Sequence, residues 1–191
     1  MAHVSIIGTG NMGQAIAGLV TKGGNTVQSL GQNDAGTAVT GEVVVLAVPY
    51  GAVADILENR KAELAGRIIV DITNPVDFAS FDSLVVPADS SAAAVIAAAL
   101  PQSKVLKAFN TTFGGTLASG RIGENTTTVL VAGDDEDAKA TLIGIVSAAG
   151  LKGIDAGSLK RARELEALGF LQISLAAGEK VSWTGGFAVV A

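Results

Sequence analysis

Short apolar runs alternate along this chain with Ala-rich stretches of helical period, and Gly, Pro, Asn and Asp mark the junctions. The first run, residues 4–7, predicts a strand leading into a helix over 11–22, which Gly23-Gly24 stops. A second strand follows at 26–30. Residues 43–48 are apolar at every position and end at Pro49, the mark of a central parallel strand covered on both faces. The pattern then predicts a helix over 51–64, a strand over 68–72 broken at Asn74-Pro75, and a helix over 92–100 capped from Asp89-Ser90-Ser91. Strands at 105–109 and 127–131 come next. An acidic helix start at 134–137 runs through 149, a short strand spans 151–155, and Ser158 caps a last helix to 177. Such alternation predicts an α/β fold of Rossmann type: right-handed crossovers and a doubly wound, mainly parallel sheet. Residues 31–41 are too few for a further helix–strand pair, so one outer strand–helix unit is abbreviated. The whole of 1–191 reads as one domain, with the helix and tail of 158–191 as an appendage.

Composition narrows the functions. Of 191 residues 49% are hydrophobic but 4% aromatic, so the core is built from small side chains, as helix-on-sheet layers require. A net charge of −5 with no basic run argues against nucleic-acid partners. Without cysteine there is no disulfide, thiolate nucleophile or sulfur-ligated metal, and a single His makes a zinc site unexpected. No stretch has the length of a membrane span, and no charged segment precedes a cleavable apolar one, so a cytoplasmic location and no membrane partner are expected.

The most informative motif is Gly8-Thr9-Gly10-Asn11-Met12-Gly13, set between the first strand and the first helix. This context turns a weak G-x-G-x-x-G into a dinucleotide-site prediction. Gly8 permits the tight turn, Gly10 lets backbone approach a pyrophosphate, and Gly13 allows close helix packing. The helix N-terminus supplies free N–H groups and a positive dipole end. Val48-Pro49-Tyr50, Thr73-Asn74-Pro75 and Asn110-Thr111-Thr112 each follow a predicted parallel strand. Singly they are ordinary turn makers. Together with the Gly-rich turn they outline a ligand crevice at the carboxyl edge of the sheet, making 1–191 an NAD(P)-binding domain.

Five segments in order carry a family resemblance: Gly8 to Gly13; Ala47-Val48-Pro49; Asp71-Ile72-Thr73-Asn74-Pro75; Lys107-Ala108-Phe109-Asn110-Thr111; and Asp155-Ala156-Gly157-Ser158-Leu159 with Ala162-Arg163-Glu164-Leu165-Glu166. Together they resemble the coenzyme F420-dependent NADP oxidoreductases and related dinucleotide-binding reductases, whose Rossmann domain recurs in the cytosolic part of STEAP metalloreductases. The resemblance implies NADP as cofactor and hydride exchange with a small-molecule acceptor, F420-type deazaflavin or flavin. It implies that Gly8, Thr9, Gly10, Asn11 and Met12 surround the pyrophosphate. Val48 and Pro49, with Tyr50 beside them, flank the adenosine or ribose side. Thr73, Asn74 and Pro75 sit by the nicotinamide and the second substrate, and Asn110 lies near the nicotinamide end. Family members often hold the 2′-phosphate with Ser followed by Arg or Lys; this chain has Gly31-Gln32-Asn33 there, so phosphate affinity should be reduced. NAD remains possible, although an NAD-type site wants an acid at the strand tip, and Asp34 lies three residues beyond Gly31.

Direct hydride transfer needs no protein nucleophile, and no catalytic side chain or metal ligand is assigned. Lys107 reads as a strand-edge or ion-paired lysine, and His3 as a surface residue. Two other readings use the same residues. The N-terminal string is also similar to pyrroline-5-carboxylate reductases, which implies an imine reductase lacking their helical domain. A non-catalytic NAD(P) redox sensor is the second. The apolar tail 181–191, with Trp183 and Phe187, could fold over its own domain or reach a second subunit. The stripe of Leu165, Leu168, Leu171 and Leu175 favours a homodimer.

Overall fold

The computed structural model describes residues 1–190, so Ala191, the last residue of the predicted tail, lies outside them. The elements are β1 (His3–Ile7), α1 (Asn11–Lys22), β2 (Thr26–Leu30), β3 (Val43–Leu46), α2 (Val53–Leu64), β4 (Ile68–Asp71), α3 (Ala92–Ala99) and β5 (Lys104–Lys107). Then come α4 (Gly114–Ser119), β6 (Arg121–Ile122), β7 (Asn125–Thr126), β8 (Thr128–Gly133), α5 (Glu136–Ala148), β9 (Lys152–Gly157) and α6 (Ala162–Ala177). Seven strands form one sheet in the order β2-β1-β3-β4-β5-β8-β9. From β1 the chain crosses to β2 on one side, then returns to β3 on the other, so the topological switch point lies between β1 and β3. The abbreviated unit is as expected: β2 is the sheet edge, and between it and β3 lies a single 3₁₀ turn, Gln32–Asp34.

The alternation of side chains sorts two apolar layers. Val43, Val45, Val70 and Leu106 face α1 and α5 through Ile16, Leu19, Leu142 and Val146. Val44, Leu46, Ile69 and Val105 face the other way, towards Val53 and Leu57 of α2 and Ile96 of α3. Strands buried on both faces are what made the 43–48 run so legible.

Three details differ from expectation. First, β8 pairs antiparallel with β5, and β9 parallel with β8, so the last βαβ unit is inverted. After β5 the chain turns through the unpredicted α4, ends it at Gly120 in a left-handed conformation (φ 72°), and forms the small β6–β7 hairpin before re-entering the sheet. Gly133 permits the pairing: a Cβ there would stand 2.3 Å from Leu106 Cδ2. Second, the central strands end early, at Leu46, Asp71 and Lys107, because the residues beyond them turn away to build the carboxyl edge. Third, Ser158 makes no side-chain cap; a 3₁₀ turn, Leu159–Arg161, precedes α6. Among the described residues no helix is long and apolar enough to cross a membrane.

Candidate functional site

Strand register brings the candidate residues to one edge. Leu30 is level with Ile7, Ile7 with Leu46, Leu46 with Asp71, and Asp71 with Lys107. The segments that follow each strand therefore emerge side by side. Gly8 N–H donates to Leu30 O at 2.8 Å, Ala47 N–H to Ile7 O at 2.8 Å, and Ala108 N–H to Asp71 O at 3.1 Å, so these exits are tied together.

The three glycines of the first turn differ in what they permit. Gly8 has φ 118°, and a Cβ there would stand 2.0 Å from Ala47 O. A Cβ on Gly13 would stand 2.1 Å from Gly8 O. Both positions are closed by protein. At Gly10 a Cβ would meet nothing within 4 Å, so the space in front of it is open. No side chain caps α1 at Gly10, which leaves the first-turn N–H groups to a ligand or water. Thr9, Gly10 and Asn11 are exposed and Met12 half-buried. That is a cradle of open backbone at a helix N-terminus. Gln14 helps hold it, donating from Nε2 to Thr9 O at 2.9 Å. Val48 and Tyr50 are half-buried and Pro49 exposed at the end of β3; Gly31 is half-buried, and Gln32 and Asn33 are exposed at the end of β2.

The ends of β4 and β5 are built differently. Thr73 (3% exposed), Pro75 and Asn110 (5%) are sealed, and Asn74 alone of the Thr73-Asn74-Pro75 cluster is half-buried. Asn110 Nδ2 donates to Asn74 Oδ1 at 2.9 Å and to Leu165 O of α6 at 2.8 Å, while Asn74 Nδ2 donates back to Asn110 O at 2.9 Å. This pair locks the two strand exits to α6. Gly169 makes the approach possible, since a Cβ there would stand 2.3 Å from Asn74 Oδ1. Phe109, just before Asn110, is buried with φ 64°, a conformation costly for a non-glycine residue and typical of functional edges.

Beneath this lip lies a charge cluster that the sequence reading did not assemble. Lys107 Nζ, fully buried, pairs with Asp71 Oδ2 at 2.8 Å and Glu166 Oε1 at 2.9 Å, and donates to Thr73 O. Asp71 Oδ1 accepts from Thr73 N–H at 2.8 Å. Glu166 Oε2 accepts from Ala92 N–H at 2.9 Å, at the N-terminus of α3. Lys107 is thus the ion-paired lysine of the two expected readings, held between neighbouring strands rather than at an edge. Burial pushes the Glu166 carboxyl above its ordinary range, opposed by Lys107. Burial, and then the negative charges of Glu166 and Asp71, push the Tyr50 phenol up, so it stays a neutral O–H at physiological pH. His3 lies at the opposite end of β1, half-buried at the surface with its ring between Thr26 Oγ1 at 2.7 Å and Thr40 Oγ1 at 2.8 Å.

The described part of the tail packs on its own chain. Trp183 stacks at a tilt on Phe113, ring centroids 4.9 Å apart, and Phe187 N–H donates to Gln172 Oε1 of α6 at 3.2 Å. Gly114, next to Phe113, lies against Asn11 O, so the tail reaches the flank of the cradle.

A family model described as NADP oxidoreductase, coenzyme F420-dependent, matches residues 27–75. The F420-dependent NADP reductase of Methanocaldococcus jannaschii is 32% identical over 160 residues, which is 82% of this chain and 71% of that protein. The metalloreductase STEAP3 of Rattus norvegicus is 36% identical over 106 residues, 56% of this chain but 20% of that protein. A crystal structure of a candidate F420-dependent NADP-reductase from Arthrobacter sp. FB24 superposes with a TM-score of 0.86 at 25% identity, covering 100% of both chains.

Proposed function

The chain belongs to the coenzyme F420-dependent NADP oxidoreductase family, and we propose that it transfers hydride between NADP(H) and a flavin-like or deazaflavin acceptor of F420 type. One observation carries the reading: five parallel strands end level, and in front of them Gly10 leaves open backbone at an uncapped helix N-terminus. Gly8 to Met12 would hold the pyrophosphate, Gly31 to Asn33 with Val48, Pro49 and Tyr50 the adenosine side, and Thr73, Asn74, Pro75 and Asn110 the nicotinamide end. The bound dinucleotide supplies the hydride and both its electrons. The protein's part is to hold two flat rings face to face and exclude water, a contribution on the order of 7 kcal/mol in favourable cases. The Asn74–Asn110 pair fixes the floor of that arrangement; Trp183 and Phe113 form an apolar flank on the acceptor side. The exposed apolar residues Leu171 (51%), Phe187 (41%) and Val190 (79%) support a homodimer that covers this flank.

The test is steady-state oxidation of NADPH with F420, FMN or FAD, beside calorimetric titration of NADPH and sedimentation of the protein. Turnover with one of these acceptors, lost in Gly10→Val while the thermal transition is retained, is the expected result. Tight cofactor binding without turnover would assign the chain to redox sensing instead. A monomer at micromolar concentration would leave the tail as a cover for its own chain.

A further inference from the structure

Beyond β2 the chain passes through Gly31 and the 3₁₀ turn Gln32–Asp34. The Asp34 carboxylate folds back on this turn, its Oδ2 accepting from Gly31 N–H at 2.7 Å. A Cβ on Gly31 would stand 3.5 Å from that oxygen and 3.6 Å from Thr9 Oγ1. The carboxylate therefore flanks the tip of β2 beside the Gly-rich turn, in the space a side chain at position 31 would enter. Asp34 also stands about twenty residues beyond that turn, the spacing at which a carboxylate accepts from the ribose 2′-hydroxyl in NAD-type dinucleotide folds. Its Oδ1 makes no hydrogen bond among the described residues, and the residue is half-buried, so one oxygen remains to accept.

What a 2′-phosphate needs is missing from the same turn. Gln32 and Asn33 are exposed and uncharged. Two guanidinium groups reach this region, and both are committed to backbone. Arg60, 7% exposed, donates to Asp34 O at 2.7 Å, Ala35 O at 3.2 Å and Thr37 O at 2.9 Å, and pairs with Glu63 at 3.3 Å. Arg67 donates to Glu63 O at 2.6 Å, to Val39 O at 3.0 Å and to Gly41 O. The Arg60 clamp fixes the turn and so holds Asp34 in place, and Arg67 is committed to the segment leading into β3, with no fork left for a phosphate. A carboxylate beside a phosphate dianion is also repulsive.

We propose that Asp34 is the ribose-recognition residue of this chain, accepting from the adenosine 2′-hydroxyl of NADH, so that NADH competes with NADPH for the site. The inference rests on the dinucleotide reading above. Calorimetric titration of wild type, Asp34→Asn and Gln32→Arg with NADH and with NADPH tests it. Asparagine keeps an oxygen for Gly31 N–H, removes the charge and turns the free acceptor oxygen into an NH2 donor. Wild type is expected to bind the two dinucleotides within tenfold of each other or to favour NADH. Asp34→Asn should weaken NADH at least fivefold and strengthen NADPH. Gln32→Arg, on an exposed residue that carries no folding risk, should strengthen NADPH at least tenfold and leave NADH unchanged. If Asp34→Asn moves both affinities together or neither, or if Gln32→Arg moves neither, the inference is overturned while the dinucleotide site stands. If wild type binds neither dinucleotide, the proposed function itself fails.

Discussion

At the ends of β1 and β3 the protein presents bare backbone: Gly8 and Gly13 are pressed against Ala47 O and Gly8 O, and Gly10 opens onto empty space. At the ends of β4 and β5, one strand further along the same edge, the side chains of Asp71, Lys107 and Glu166 are sealed beneath Thr73 and tied to α6. The first region can receive a charged ligand because it has few side chains of its own. The second cannot open without exposing Asp71, Lys107 and Glu166, so it is a rigid floor. A cofactor held at this edge would need one of each: a cradle whose N–H groups are open until it binds, and a base whose charged groups are already paired, with only Thr73 Oγ1 and Asn110 Oδ1 left buried there without a partner among the described residues. Damage to the floor should therefore appear as lost stability, and damage at Gly10 as lost binding.

The largest effect should come from Lys107→Met. It leaves two buried carboxylates facing each other without their cation, a loss of about 3–5 kcal/mol. Urea unfolding followed by circular dichroism measures it; a loss below about 1 kcal/mol would mean that the floor is not held by charge. Next is the contrast within the glycine turn. Gly8→Ala combines a left-handed backbone with a Cβ 2.0 Å from Ala47 O, and should cost on the order of 2–4 kcal/mol. Gly10→Ala should stay within about 1 kcal/mol of wild type in stability, yet weaken NADPH binding. Equal stability losses at Gly8 and Gly10 would erase the distinction between closed and open positions. Gly169→Ala tests the floor from α6: its Cβ would stand 2.3 Å from Asn74 Oδ1 and 2.9 Å from Asn110 O, and overpacking of this kind costs about 1–3 kcal/mol.

The two regions also differ in how plainly the sequence announces them. The cradle is local. Gly8 to Gly13 is contiguous, and the strand before it and the helix after it, Asn11–Lys22, are legible from periodicity alone. The floor is not local. Asp71 and Lys107 stand 36 residues apart, and Glu166 comes from the last helix. A single Lys on an apolar strand says that it needs a partner but not which one. Asn110 illustrates the same limit: its position at a strand end was readable, but its amide turns inward to Asn74 and Leu165 O. The inverted β8 was missed for a related reason. An antiparallel neighbour needs no crossover helix, and a buried antiparallel strand has the same apolar pattern as a parallel one. Asp34 was visible as a charge near the tip of β2; only the turn geometry brings it back beside Gly31.

The smallest effect, and the one that reads the two kinds of charge against each other, is pH dependence. Glu166 has its carboxyl raised above the ordinary 4.5 by burial, against the pull of Lys107. Its contribution to stability is complete below 4.5 and is lost as pH rises through the folded-state value. The exposed Asp155 is shifted the other way. Its carboxyl is lowered from the ordinary 3.8, first by the Lys139 ammonium at 2.8 Å and then by Gly157 N–H. Its contribution is present above 3.8 and is lost as pH falls through the folded-state value. Asp135, which caps α5 through Ala138 N–H at 2.8 Å and meets Lys104 at 3.0 Å, follows the same sign. Stability should therefore decline on both sides, on the acid limb through surface aspartates and on the limb above 4.5 through the buried glutamate. Glu166→Gln removes the second decline and leaves the first. Urea midpoints at half-unit steps from pH 3 to 8 compare the two proteins. The variant curve should be flatter above 4.5 and coincide in slope with wild type below 3.8. If it keeps the wild-type slope above 4.5, the buried carboxylate is as well stabilised folded as unfolded, and the floor is electrostatically no different from the surface.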